Sequence, residues 1–131
     1  MSELHWLAAT SLLTATIWML YVPNRMAVLG LARTLGNPAV DDPPLAPWAQ
    51  RAAAAHRNSV ENLTVFAALI LAADALEASC ALTQAAAVAY FFSRLAYLVV
   101  YVAGIPVLRT LAFAAGWACQ VVVALCVLGA I

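Results

Sequence analysis

Long runs without charge constrain this chain more than any other feature of its sequence. No Asp, Glu, Lys or Arg occurs between Leu4 and Asn24, and none follows Arg109. A helix needs about 20 apolar residues to cross a bilayer, and both runs reach that length. The chain is 66% hydrophobic and 9% charged, whereas soluble domains are about half apolar and about a quarter charged. The sequence therefore predicts an integral membrane protein.

Four apolar segments predict an all-α bundle of four transmembrane helices, forming a single domain over residues 1–131. We expect helices at about 4–33, 47–77, 81–103 and 107–130. A proline-rich loop, 35–47, joins the first two, because proline lacks the amide donor that a helix interior requires. A transmembrane barrel would need period-2 alternation along each strand, and the segments lack that pattern.

The arginines predict the orientation in the membrane. Six arginines balance six acidic residues and there is no lysine, so the clustered positive charge of a nucleic-acid binder is missing. Those that flank the first or third loop are Arg25, Arg33, Arg51, Arg57 and Arg109. The positive-inside rule predicts that these loops are cytoplasmic and both termini outside. The short loops suit a bacterial inner membrane, which is the location we expect.

Several isolated residues receive simple interpretations. Cys80, Cys119 and Cys126 lack metal-ligand spacing, so we expect buried free thiols and no metal site. Tyr21 suits an aromatic belt at the membrane interface. His56 is expected to face away from the polar residues of the second helix.

Polar residues open the second helix where hydrocarbon is expected. Successive residues of a helix are rotated by about 100° around its axis. Measured from Arg57, Glu61 therefore lies at about 40°, Asn58 at about 100° and Arg51 at about 120°. One broad face of the helix therefore carries most of its polar groups. Charged side chains at such depth usually face a bundle interior or a wet cavity.

The third helix carries a matching polar face. Arg94, Tyr97 and Tyr101 lie within about 60° of one another, and we expect Arg94 to pair with Glu61. Such a pair would either hold two helices together or belong to a binding site.

Positive charge near the cytoplasmic face exceeds what one carboxylate neutralises. Arg33, Arg51, Arg57 and Arg109 stand against Glu61. Guanidinium groups bind carboxylates through two parallel hydrogen bonds, so the surplus favours an anionic ligand. Anionic lipid is the alternative partner for Arg33 and Arg57.

These residues resemble the signature of the MAPEG family, the membrane-associated proteins in eicosanoid and glutathione metabolism. The resemblance covers nearly the whole chain, including its length and its proline-rich first loop. It is carried by Arg51…His56-Arg57-Asn58-Ser59-Val60-Glu61-Asn62-Leu63…Phe66, by Arg94-x-x-Tyr97-x-x-x-Tyr101, and by Pro106 with Arg109-Thr110.

The resemblance implies a homotrimer with one glutathione site, open to the cytoplasm, at each subunit interface. The residues that match the family's glutathione contacts are Arg33, Arg51, Arg57, Asn58, Glu61, Arg94, Tyr97 and Tyr101. The arginines would hold carboxylates, and Asn58 and Glu61 would contact the peptide backbone and amine. Arg109 matches the arginine near the thiol and would be catalytic. Ala54 stands where eukaryotic transferases carry an arginine, and Arg51, one turn earlier, could reach the same anion.

Three functions follow from these patterns. The leading hypothesis is a glutathione transferase or peroxidase that acts on lipophilic electrophiles or lipid hydroperoxides, with glutathione as co-substrate. The alternative is a non-catalytic protein of the same fold that binds lipid or serves as a scaffold. A small transporter is disfavoured, because the charges occupy only the cytoplasmic half of the predicted bundle.

Overall fold

The computed structural model describes residues 2–131, and 81% of these residues are helical. The described part of the chain contains no strand. Within residues 2–131 six helices follow one another: α1 (Glu3–Thr16), α2 (Trp18–Leu29), α3 (Leu31–Leu35), α4 (Pro47–Ala75), α5 (Ala81–Ala103) and α6 (Pro106–Val127). The all-helical class predicted from the sequence is confirmed.

The first predicted helix differs most from the expectation, because three helices occupy its range. At Ile17 the amide bonds to the Thr14 carbonyl three residues back, at 3.3 Å, and this tighter turn separates α1 from α2. Gly30 then ends α2 with a φ of 79°, a conformation that glycine adopts without steric cost. The apolar pattern runs through both positions, so it did not reveal either break.

The remaining helix ends have clear local causes. Proline is the first residue of both α4 and α6, where its missing amide costs no hydrogen bond and its fixed φ suits the first turn. Gly104 closes α5 in the left-handed conformation, and its amide bonds to the Tyr101 carbonyl at 3.0 Å. These features give α5 and α6 a tight antiparallel connection.

Three segments of the described chain are long and apolar enough to cross a bilayer: Glu3–Leu29, Ala81–Ala103 and Pro106–Val127. The integral membrane class is therefore supported by the structure as well as by composition. Helix α4 has 29 residues, which is sufficient length, but its first half carries Arg51, Arg57 and Glu61. A fourth span formed by α4 stays a prediction.

Helices α4 and α5 occupy the middle of the bundle, since each contacts α1, α6 and the other. Two buried clusters fill it. One contains Phe66 stacked on Tyr90 with ring centroids 3.8 Å apart, and the other contains Ile17 and Tyr97. Small residues allow close packing: a Cβ at Gly116 would lie 3.0 Å from the Ser93 Oγ.

The three cysteines are free thiols, as expected, but they are not all buried. Cys126 is buried, Cys119 is half-buried and Cys80 is exposed. The expectation of burial was wrong for Cys80, because this residue precedes the first turn of α5 and belongs to the loop after α4.

Candidate functional site

A buried arginine lies at the centre of the candidate site. Arg94 is 3% exposed, and its Nη2 donates hydrogen bonds to the Asn58 Oδ1 at 2.8 Å and the Ser59 Oγ at 3.3 Å. Its guanidinium carbon lies 4.3 Å from the centre of the Tyr97 ring. The Nε has no hydrogen-bond partner within residues 2–131. Neutral groups thus surround the charge, and the buried Nε–H is not used by any of the described residues.

The predicted ion pair between Arg94 and Glu61 is wrong. No salt bridge joins them in the described chain, and Glu61 is exposed. The physical reason lies in α4, where Glu61 and Asn58 are separated by about 60° around the helix axis. That angle is enough for Asn58 to face Arg94 while Glu61 faces outward.

Two tyrosines extend the site from Arg94 to α6. The Tyr97 and Tyr101 rings pack edge to face with centroids 5.4 Å apart, and the guanidinium carbon of Arg109 lies 4.6 Å from the Tyr101 ring centre. Cation–π contact of this kind favours a guanidinium over an aromatic face. A continuous series of contacts therefore runs from Arg94 to Arg109.

Arg51 reaches the same end of α5 from α4. Its Nε donates a hydrogen bond to the Val102 carbonyl at 2.9 Å. A Cβ at Gly104 would lie 3.3 Å from its guanidinium carbon, so glycine there gives the side chain its room. This contact fixes the direction of Arg51 and leaves its terminal nitrogens free to donate to a ligand.

We name the set Arg51, Arg94, Tyr97, Tyr101 and Arg109 the arginine–tyrosine cluster. It contains three guanidinium groups, and among residues 2–131 no carboxylate lies within 4.0 Å of any of them. Unpaired cations are costly at membrane depth. Arginine is well suited to bind carboxylates, so the cluster can stabilise an anionic ligand.

Arg33 is not part of this cluster. It forms ion pairs of 2.8 Å with both Asp41 and Asp42, and Arg25 also pairs with Asp42 at 3.4 Å. The loop folds back on α2 and α3 to make these contacts. The loop aspartates neutralise Arg33. The surplus of positive charge near the site is therefore smaller than the sequence predicts.

The other two predicted residues, Arg57 and Glu61, line a separate groove between α2 and α4. This α2–α4 groove has a volume of about 400 Å³, and its remaining walls are Tyr21, His56 and Val60. An adjoining hollow of about 530 Å³ shares Tyr21 and Arg57 with it. The hollow is also lined by Leu45, Gln50, Ala53 and Ala54. The polar residues expected on one face of α4 thus lie on two surfaces: Arg51 and Asn58 contact α5, whereas Arg57 and Glu61 line the α2–α4 groove.

Sequence reasoning missed a hydrogen bond in this groove. The Tyr21 hydroxyl lies 2.9 Å from the His56 Nδ1. The sequence predicts that Tyr21 is an interfacial aromatic residue and that His56 faces away from the polar groups, whereas the structure joins the two side chains. Neither helix alone indicates the contact, because it depends on how α2 packs against α4.

Comparison with known proteins gives one result. The family model of the MAPEG family matches residues 7–129 of the 131-residue chain. No curated protein and no solved structure matches the chain.

Proposed function

The chain belongs to the MAPEG family, and from this premise we propose that it is a membrane-bound enzyme that binds glutathione. The glutathione thiolate would add to lipophilic electrophiles or reduce lipid hydroperoxides. The observation that carries this proposal is the arginine–tyrosine cluster, with three guanidinium groups and no carboxylate within 4.0 Å among the described residues. Glutathione is an anionic tripeptide, so it can supply the missing negative charge.

The side chains of the cluster suit distinct tasks in this chemistry. Arg51 and Arg94 would hold carboxylates, because a guanidinium presents several fixed N–H donors. Arg109 would lie close to the thiol. A free thiol has a pKa of about 8.5. A neighbouring guanidinium favours the nucleophilic thiolate without losing its own proton.

The reaction needs no covalent bond to the enzyme. In transfer, the glutathione sulfur forms a bond to the electrophile and a leaving group departs with the electron pair. In peroxide reduction, two glutathione molecules lose two electrons and two protons, and the hydroperoxide becomes an alcohol and water. The protein contributes positioning and electrostatic stabilisation.

The proposed assembly is a homotrimer of four-span subunits. Besides Arg57 and Glu61, α4 also exposes large apolar side chains: Val60 is 49% exposed, Val65 50% and Leu71 54%. A second subunit that covered this face would close the α2–α4 groove and bring Arg57 and Glu61 into a shared site. In the orientation we propose, the cluster opens to the cytoplasm and the bacterial inner membrane holds the bundle.

One observation favours a non-catalytic member of the family. Ala54 lines the hollow beside the α2–α4 groove, where eukaryotic transferases would place an arginine. If Arg51 does not replace that charge, the same surface would bind a lipid without reacting with it.

Calorimetric titration of the detergent-purified protein with glutathione tests the proposal. We expect saturable binding that is lost in Arg51→Ala and kept in Arg25→Ala, a matched arginine change in α2. In Arg109→Ala we expect binding to remain while the ultraviolet absorbance of the thiolate disappears. Absence of binding to the wild-type protein at millimolar glutathione would overturn the enzymatic proposal and favour the lipid-binding alternative.

A further inference from the structure

The end of the bundle away from the arginine–tyrosine cluster brings together two of the three cysteines. The register of the α5–α6 hairpin is set where Gly116 packs against the Ser93 side chain. Ten residues further toward the open end of both antiparallel helices, this register places Cys126 beside Thr83. Both are buried, at 9% and 0% exposure, so both side chains face the interior between the helices.

Cys80 is held next to Thr83 by the cap of α5. The Cys80 side chain accepts the backbone N–H of Thr83, and the Cys80 amide donates to the Thr83 Oγ1 at 2.9 Å. Thr83 is itself fixed, because its hydroxyl donates to the buried Glu3 Oε1 at 2.6 Å. With Cys126 beside the same threonine, the helix cap and the hairpin register bring the Cys80 and Cys126 side chains together at this end of α5.

The two thiols differ in a way that suits a redox pair. Cys80 is exposed, whereas Cys126 is buried beside it. The backbone amides of Thr83 and Leu82 lower the pKa of the Cys80 thiol. An accessible thiol with a lowered pKa reacts more readily with oxidants, and a neighbouring thiol can resolve the product to a disulfide.

We infer that Cys80 and Cys126 form a redox-active dithiol that reacts with organic hydroperoxides and closes to an intramolecular disulfide. The Cys80 thiolate attacks the terminal peroxide oxygen and the O–O bond breaks, which gives a sulfenic acid at Cys80. The departing alkoxide takes up the proton that the Cys80 thiol released to solvent and becomes the alcohol. The Cys126 thiol then attacks that sulfur, the S–S bond forms, and water leaves with the Cys126 proton. One hydroperoxide is reduced for each disulfide formed.

This reaction is independent of the proposed glutathione chemistry. The dithiol and the Arg51 contact lie at opposite ends of α5, whose 23 residues span roughly 34 Å at 1.5 Å per residue. In the orientation proposed above, the dithiol faces the outer side of the membrane, where disulfides persist. A thiol reductant of that side would regenerate it by exchange.

The test uses the full-length protein, reduced, desalted and free of glutathione, with cumene hydroperoxide as the probe. Intact mass and alkylation under denaturing conditions then report the thiols. We expect the mass of the wild-type chain to fall by two hydrogens, with one alkylatable thiol left and cumyl alcohol formed in equal amount. Dithiothreitol should restore all three thiols.

Three serine variants assign the reaction. Cys119→Ser is the matched control and should still form the disulfide. Cys80→Ser should form none, and serine keeps the helix cap because it is a favoured capping residue. Cys126→Ser should accumulate a sulfenic acid at Cys80 that dimedone traps. Three alkylatable thiols after oxidation, a disulfide that includes Cys119, or disulfides only between chains would overturn the inference.

Discussion

Changing Asn58 to aspartate tests whether the charge of Arg94 serves ligand binding. Asn58 accepts a hydrogen bond from the Arg94 Nη2 at 2.8 Å, so an isosteric carboxylate would pair with that guanidinium directly. The new side chain would supply the negative charge that we assign to the ligand. Asn58→Asp should therefore bind glutathione more weakly while its fold remains intact.

The magnitude follows from the contact that the ligand would lose. A hydrogen bond to a charged group contributes about 1.5–3 kcal/mol. Since each 1.4 kcal/mol changes affinity tenfold, the dissociation constant should rise by about 10–100-fold. The thermal midpoint should stay unchanged or rise, because an ion pair replaces an amide–guanidinium hydrogen bond at the same place.

Calorimetric titration and thermal unfolding of the same preparation provide the assay. Asn24→Asp is the matched control, because Asn24 Oδ1 accepts the Ala46 amide at 3.0 Å and a carboxylate keeps that role away from the cluster. The control should bind glutathione as the wild-type protein does. Equal affinity in Asn58→Asp and the wild-type protein would refute the assignment of Arg94 to the anion site.

Two further substitutions and one measurement of pH dependence test other parts of the structure. Gly116→Ala should lower the free energy of unfolding by about 1–3 kcal/mol through overpacking, and adding Ser93→Ala should recover part of that loss; equal melting of the single and double variants would contradict the contact. Tyr21→Phe should cost about 0.5–1.5 kcal/mol, because it removes the hydrogen bond to His56, as thermal unfolding will show. The alkylation rate of Cys80 should rise with pH and reach half its maximum at a lower pH than that of free cysteine, since backbone amides lower its pKa; a midpoint at or above that of free cysteine would refute this.

The sequence was most informative where one helix decides the outcome. The membrane class follows from the lack of charge, and the end of α5 follows from Gly104 and Pro106, whose backbone preferences are local. The polar residues of the site were recognisable for the same reason. Charged and amide groups at membrane depth need a partner or a cavity wherever the helix packs.

What the sequence did not reveal depends on contacts between distant segments. A helical wheel shows that Arg94 faces inward, but not that Asn58 rather than Glu61 meets it. The pairing of Arg33 with Asp41 depends on the path of a loop, which proline content alone does not determine. The proximity of Cys80 and Cys126 depends on the register of the α5–α6 hairpin, which takes up more than a third of the chain.

The hydrogen bond from Arg51 to Val102 has a consequence for biosynthesis. The two residues are 51 positions apart, so the ribosome completes α4 and most of α5 before the acceptor carbonyl exists. The arginine–tyrosine cluster, our proposed anion site, is therefore one of the last parts of the molecule to form, and a nascent chain that stops before the turn at Gly104 lacks it.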